Sequence, residues 1–82
     1  AKGSFKVYPN PTTGTLTLEM ADKTVMPSTV IEVYGMMGEK ILREEFAGQR
    51  KHEISLTLQP PGVYLVRVIS GNEAGTVKIV KQ

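Results

Sequence analysis

Apolar and polar residues alternate along most of this 82-residue chain, and this two-residue period constrains the fold more than any other feature. It is clear in residues 14–20 (GTLTLEM) and again in residues 52–58 (HEISLTL). Successive side chains of a β-strand point to opposite faces, so the pattern predicts strands with one buried face. Leu16, Leu18 and Met20 are therefore expected to share a face.

Seven segments show this period, with Gly, Pro, Asn and Asp between them. The predicted strands lie near residues 5–8, 14–20, 29–34, 39–46, 51–58, 62–69 and 75–81. The fourth has a second interpretation, because residues 40–46 are fair helix formers that would make about two turns of amphipathic helix. A strand is favoured, since Gly38 and Gly48 bound a segment that is short for a helix and suits a hairpin.

The segment YPNPTTG, residues 8–14, interrupts the alternation after the first predicted strand. Pro9 and Pro11 lack backbone N–H donors, and each biases the residue before it toward an extended conformation. The segment is therefore expected to end the strand and to form a stiff corner between sheets. Gly14 would supply a backbone conformation that is costly for other residues.

Several short strands at regular spacing indicate a sandwich or a barrel. Residues 58–64 (LQPPGVY) have the spacing L-x-P-x-x-x-Y, which is that of a tyrosine corner. In such a corner, a tyrosine near the start of a late strand hydrogen-bonds to the backbone a few residues upstream. This favours the sandwich, with Tyr64, Val66 and Val68 pointing inward and residues 63, 65 and 67 on the other face.

The composition argues for one domain stabilised by its core alone. The chain has no cysteine, so disulfides and thiolate metal sites are excluded, and no apolar run approaches the ~20 residues of a membrane helix. The net charge of +2 is too small to indicate nucleic acid or a membrane surface as a partner. Residues 1–4 are expected to be a flexible lead-in, as in a domain cut from a larger protein.

Groups for catalysis or cofactor binding are scarce, with one histidine and one aspartate in the chain. His52 and Ser55 would project from opposite faces of a strand, as would Glu44 and Glu45, so neither pair converges on a substrate. We expect a solvated histidine and surface glutamates. No residue spacing indicates a metal site, and the GMMG run, residues 35–38, is expected to be a turn rather than a phosphate loop.

Three segments together resemble a known family. They are YPNPTTG, IEVYGMMGEKI at residues 31–41, and LQPPGVYLVRV at residues 58–68 followed by KIVKQ at residues 78–82. The chain resembles the carboxyl-terminal sorting domain of type IX (Por) secretion substrates over residues 5–82. Gly35 stands where that family often has Asp, and Glu39 where it often has Arg.

The resemblance implies a seven-stranded immunoglobulin-like β-sandwich that is not an enzyme, holds no cofactor or metal, and addresses an amino-terminal cargo domain for export. The implied partners are the type IX translocon and a sortase-like peptidase that cleaves in or before residues 1–4, a linker remnant. The cargo would pass the periplasm and reach the outer membrane, the cell surface or the medium. Because exposed edge strands can pair between two copies of the chain, a strand-mediated homodimer is a further alternative.

The resemblance also supplies the candidate recognition residues. They are Pro9, Asn10, Pro11, Gly14, Tyr34, Gly38, Gly62, Tyr64, Val66, Lys78, Lys81 and Gln82. For the last strand, one interpretation is an edge that completes its sheet, and the favoured one is an edge that also offers Lys78 and Lys81 to a partner by strand addition. The alternative function is a fibronectin-like or immunoglobulin-like spacer, or an adhesion or carbohydrate-binding module, of a secreted protein.

Overall fold

The computed structural model describes residues 5–20, 28–71 and 73–82, so the lead-in of residues 1–4 lies outside the described residues. Seven strands form in the described residues. They are β1 (Phe5–Tyr8), β2 (Thr15–Met20), β3 (Thr29–Tyr34), β4 (Lys40–Phe46), β5 (Lys51–Ser55), β6 (Gly62–Ser70) and β7 (Glu73–Lys81). The segment with a helical alternative is strand β4, which pairs with β3 through a hairpin.

The strands form two sheets that pack face to face. One sheet has the order β1-β2-β5 and the other the order β4-β3-β6-β7, and all neighbouring strands are antiparallel. Consecutive strands change sheet after β2, β4 and β5, so the two layers are built from interleaved parts of the chain. The predicted all-β, seven-stranded sandwich is confirmed.

The core lies between the sheets and consists mainly of every second side chain of the inner strands β2, β3 and β6, as the alternation predicted, together with Ile54, Leu56 and Ile79. Leu16, Leu18 and Met20 of β2 are all buried against the other sheet. The inward direction predicted for β6 is also confirmed. Its buried positions join the same cluster: Tyr64, Val66 and Val68.

Strand β5 is shorter than predicted. The period suggested residues 51–58, but the strand ends at Ser55, and Leu58 is 94% exposed instead of sharing the buried face with Leu56. The reason is a turn, in which the Gln59 N–H donates to the Leu56 carbonyl at 2.9 Å. The turn carries the chain away from one sheet and toward the start of β6 in the other.

The tyrosine corner is present at this crossing. The Tyr64 hydroxyl donates a hydrogen bond to the Pro60 carbonyl, and only 5% of the residue is exposed. The bond joins the start of strand β6 to the loop that leads into it. It therefore fixes the position at which the chain passes from one sheet to the other.

The expectation of a solvated His52 is wrong. Its ring stacks on Phe46 of β4 with 4.2 Å between ring centroids, and its Nε2 lies 2.6 Å from Glu44 Oε1. Both contacts join β5 to β4 across the two sheets. The cause is tertiary, because β4 and β5 belong to different sheets that meet along this side of the sandwich.

The tyrosine corner generates the first prediction. Tyr64→Phe should lower the free energy of unfolding by about 1 kcal/mol, the usual contribution of one hydrogen bond, and Tyr64→Ala by about 3 kcal/mol or more, because it also leaves a cavity. Urea unfolding at constant m-value measures both. Leu58→Ala is the control and should stay within about 0.5 kcal/mol of the unmodified protein. Equal effects of the phenylalanine variant and the control would contradict a stabilising corner.

Candidate recognition end

The loops that carry the three sequence motifs gather at one end of the sandwich. The pairing of Tyr8 with Thr17, of Tyr34 with Leu65, and of Gly62 with Lys81 places the ends of β1, β3 and β7 beside the starts of β2, β4 and β6. We call this the motif end. It comprises residues 9–14, 35–39, 56–61 and 80–82.

The proline corner crosses from one sheet to the edge of the other. Strand β1 ends at Tyr8, and the side chain of Asn10 then lies against the outer edge of β7. Its Nδ2 donates to the Lys78 carbonyl at 2.9 Å, and its Oδ1 accepts from the Val80 N–H at 3.0 Å. One amide side chain thus occupies an acceptor and a donor that an edge strand otherwise leaves open.

Thr12 also bonds to the edge of β7, and the sequence analysis did not identify this residue. Its N–H donates to the Val80 carbonyl at 2.8 Å, and its carbonyl accepts from the Gln82 N–H at 2.8 Å, forming a parallel bridge with Lys81. Its hydroxyl donates to the Thr15 carbonyl and accepts from the Gly14 N–H. A threonine two residues before a glycine is a turn signal that marks this position.

Gly14 closes the corner against the loop after β5. Its φ of +156° is one that L-residues rarely adopt, and a Cβ at this position would lie 3.1 Å from Thr57 Oγ1 and 3.4 Å from Thr57 Cα. Its carbonyl accepts the Leu56 N–H at 2.7 Å. The backbones therefore approach closely, and glycine fits this contact.

The expectation that Lys78 and Lys81 together support strand addition is wrong. Asn10 and Thr12 already bond the outward backbone groups between residues 78 and 82. Lys81 is only 8% exposed, and its Nζ donates to the Gln59 carbonyl at 2.6 Å. Lys81 therefore ties β7 to the loop before β6, whereas Lys78 stays exposed to solvent.

The GMMG run is the predicted turn of the β3–β4 hairpin. Its ends are bonded by Gly35 N–H to the Glu39 carbonyl at 2.9 Å, and Gly38 has a φ of +86°. A Cβ on Gly35 would lie 2.7 Å from Glu39 Cδ, so the glycine makes room for the glutamate.

The remaining candidate residues divide into buried and accessible positions. Tyr64 and Val66 are in the core and present no surface to a partner. Tyr34 lies on the outer face of the four-stranded sheet, where its hydroxyl donates to Glu32 Oε1 at 2.9 Å. Gly62 and Gly38 are exposed, with open space where a Cβ would lie.

The electrostatics of that outer face centre on Glu32. The hydrogen bond from Tyr34 lowers the pKa of the Glu32 carboxyl below its ordinary value, and the Lys40 ammonium at 3.5 Å lowers it further. On the outer face of the other sheet, the Tyr8 hydroxyl likewise lowers the pKa of Glu19, and Glu19 raises the pKa of Tyr8. These groups form partly buried networks of hydrogen bonds and ion pairs on the two sheet surfaces.

Groups with catalytic potential do not converge at the motif end. Across residues 5–20, 28–71 and 73–82, no three His, Cys, Asp or Glu side chains are placed to hold a metal ion. The same residues contain no helix with the length and hydropathy needed to cross a membrane.

Fold and core together define a small all-β sandwich domain. Its residues 6–82 match the family described as the secretion system C-terminal sorting domain, with the designation Por secretion tail, and the chain belongs to that family. No curated protein matches the chain. The domain is a non-catalytic signal domain of a type IX secretion cargo, which is destined for secretion or the cell surface.

The contact of the corner with β7 generates a second prediction. Asn10→Ala should lower the free energy of unfolding by about 1 kcal/mol and speed the hydrogen exchange of the Val80 amide, which loses its acceptor. Asn10→Asp is the matched control, because it keeps an acceptor for that amide and replaces the donor to the Lys78 carbonyl by a carboxylate oxygen. Unchanged exchange at Val80 in the alanine variant would count against the bond.

A third prediction concerns acid stability. Because folding lowers the pKa of Glu32, its contribution to stability is present above the ordinary pKa of a glutamate and is lost as the pH falls through the lowered value. Glu32→Gln should therefore reduce the loss of stability on acidification, measured by urea unfolding across the acid range. Tyr34→Phe removes the principal cause and should change the slope in the same direction. Identical slopes in all three proteins would refute this assignment.

Proposed function

We propose that this domain is the export address of an amino-terminal cargo and that the type IX translocon reads it in the folded state. The observation that carries the proposal is the position of the start of β1 relative to the motif end. Phe5, where β1 begins, lies at the end opposite the motif end, because it pairs with Met20 at the far end of β2. A cargo attached before Phe5 therefore leaves the motif end uncovered.

The length of the sandwich keeps cargo and motif end apart. Strands β6 and β7 have nine residues each, which at ~3.3 Å per residue separates the two ends by roughly 30 Å. A receptor that contacts the motif end does not need to meet the cargo. This separation suits a signal that is attached to unrelated proteins.

The motif end is also prepared for binding before a partner arrives. Asn10, Thr12 and Lys81 hold the corner, the end of β7 and the loop before β6 in one arrangement. A surface that is already ordered avoids part of the entropic cost of fixing loops on binding. The residues that hold this arrangement therefore contribute to the affinity without contacting the partner.

The twelve candidate recognition residues would then act in two ways. The buried or bonded ones hold the frame: Asn10, Gly14, Tyr64, Val66 and Lys81, and the exposed Pro9 and Pro11 stiffen its corner through their restricted backbone. The accessible ones are open to the translocon: Tyr34, Gly38, Gly62, Lys78 and Gln82.

Removal of the domain by a sortase-like peptidase completes the proposal. The support is that a cut before Phe5 leaves all seven strands whole, and that Phe5 is held in place where its ring packs on Gly75 of β7. The cleaved signal would thus stay folded. The cargo would be released or attached at the cell surface.

A fusion experiment tests the function. Residues 1–82 are joined behind an inert fluorescent reporter that carries an inner-membrane export signal, in a bacterium with a type IX system. The reporter should reach the surface or medium, and it should stay in the periplasm of a strain that lacks the translocon. Periplasmic retention in the competent strain would refute the export function and favour a spacer or an adhesion module.

A fourth prediction uses this fusion to distinguish residues that stabilise the motif end from residues that contact the translocon. Lys81→Met should lower the free energy of unfolding by about 2 kcal/mol, because it removes a hydrogen bond from a buried ammonium. Lys78→Glu should change stability by less than about 0.5 kcal/mol and yet reduce export. Deleting residues 78–82 should also stop export, but it removes the core residue Ile79, so it does not separate the two roles. Full export of the Lys78 variant would exclude this lysine as a contact.

A further inference from the structure

The large apolar side chains that the described residues leave exposed are unevenly distributed. In residues 5–20, 28–71 and 73–82, every one of them lies at the motif end or on the strand residues next to it. They are Met36 (68% exposed), Met37 (91%), Leu58 (94%), Leu65 (38%) and Val80 (36%). We call them the exposed apolar set.

The strand register shows how the set is arranged. Met36 and Met37 form the tip of the β3–β4 hairpin, and Leu58 lies in the loop between β5 and β6. Leu65 pairs with Tyr34, and Val80 belongs to the end of β7, both on the outer face of the four-stranded sheet. The set therefore extends over the rim where the motif end meets this outer face.

The outer face of the other sheet is polar and serves as an internal comparison. Its outward positions are Lys6 and Tyr8 of β1, Thr15, Thr17 and Glu19 of β2, and Lys51, Glu53 and Ser55 of β5. Exposed apolar residues scattered singly are ordinary, but their concentration in one region marks an interaction site. The set has no role in the core that accounts for its apolar character.

Charge adds a second property to this rim. Lys40 and Lys78 are exposed and lie on the outer strands of the four-stranded sheet, in register with Tyr34 and Leu65 between them. Lys40 is paired with Glu32 at 3.5 Å, so the Lys78 ammonium beside Leu65 is the charge that fits carboxylates at the border of an apolar surface.

We propose that the exposed apolar set is the docking surface of this domain and that its occupant is a concave apolar pocket, bordered by carboxylates, on a protein of the translocon. The proposal rests on the proposed function and names the surface that the translocon grips. The pocket encloses the rim, so that Met36, Met37 and Leu58 enter from the motif end while Leu65 and Val80 contact its wall.

The shape of the set decides between occupants. It covers two surfaces that meet at an angle, so a flat bilayer would contact the loop residues or the sheet residues but not both. A second copy presents the same convex rim, and two convex surfaces bury little area against each other while bringing their lysines together. A concave protein pocket contacts all five residues at once.

The test uses the reporter fusion with two triple variants. The first is Met36→Gln, Met37→Gln and Leu58→Gln, and the matched control on the polar outer face is Thr17→Gln, Glu53→Gln and Lys51→Gln. The first should reduce surface delivery about tenfold or more, because central interface residues each contribute a large part of an affinity. The control should be exported like the unmodified fusion, and both isolated domains should melt within a few degrees of it.

Photo-crosslinking identifies the occupant in the same cells. A crosslinking amino acid at residue 37 should capture a translocon protein during export, and the same amino acid at residue 53 should not. Normal delivery of the first triple variant, with the unmodified fusion exported, would overturn the docking surface and leave the function intact. Retention of the unmodified fusion would overturn both.

Two further measurements exclude the other occupants. The isolated domain should not sediment with vesicles of zwitterionic and anionic phospholipid, and it should be a monomer at micromolar concentration in analytical ultracentrifugation. Vesicle binding that the first triple variant abolishes would assign the set to a lipid surface. A dimer that the same variant dissociates would assign it to a second copy. Either result would overturn the proposal.

Discussion

The hydrogen bonds between the proline corner and the edge of β7 hold together the parts of this domain on which everything else depends. The corner belongs to the hairpin of the three-stranded sheet, whereas β7 closes the four-stranded sheet, so bonds from Asn10 and Thr12 join the two layers directly. They also satisfy the backbone groups of an edge strand that would otherwise remain available for pairing with another chain. One short segment therefore both closes the sandwich and protects its edge over residues 78–82.

This closure explains why residues that look alike in the sequence have different roles. Lys78 and Lys81 are three residues apart on one strand, yet Lys81 is buried and bonded to the Gln59 carbonyl while Lys78 is exposed. Apolar residues divide in the same way, because Leu56 fills the core and Leu58 faces solvent. A signal domain of this size needs both kinds, since the loops can offer apolar contacts only if a separate set of residues keeps the fold closed.

The distribution of roles fits a protein whose function is to be recognised. The family to which the chain belongs is a non-catalytic sorting domain, and the chemically reactive residue types are few. The single histidine stacks on Phe46 and contacts Glu44, which places it in the joint between β4 and β5. The molecule instead presents two different ends, with the start of β1 at one end and the motif loops at the other.

The sequence by itself determined most of the strands and their inward faces, because a two-residue period and local turn signals depend only on neighbouring residues, and its three motifs carried the resemblance to the family. It thereby specified β2, β6 and the tyrosine corner, and it marked residues 8–14 as a rigid bend. Only the tertiary structure decided what the bend contacts and that Thr12 bridges to Lys81. It also decided that Leu58, expected in the core, is exposed, and that His52, expected in solvent, packs on Phe46. These outcomes rest on contacts between distant parts of the chain, such as Asn10 with Val80, 70 residues apart, and local patterning carries no information about such partners.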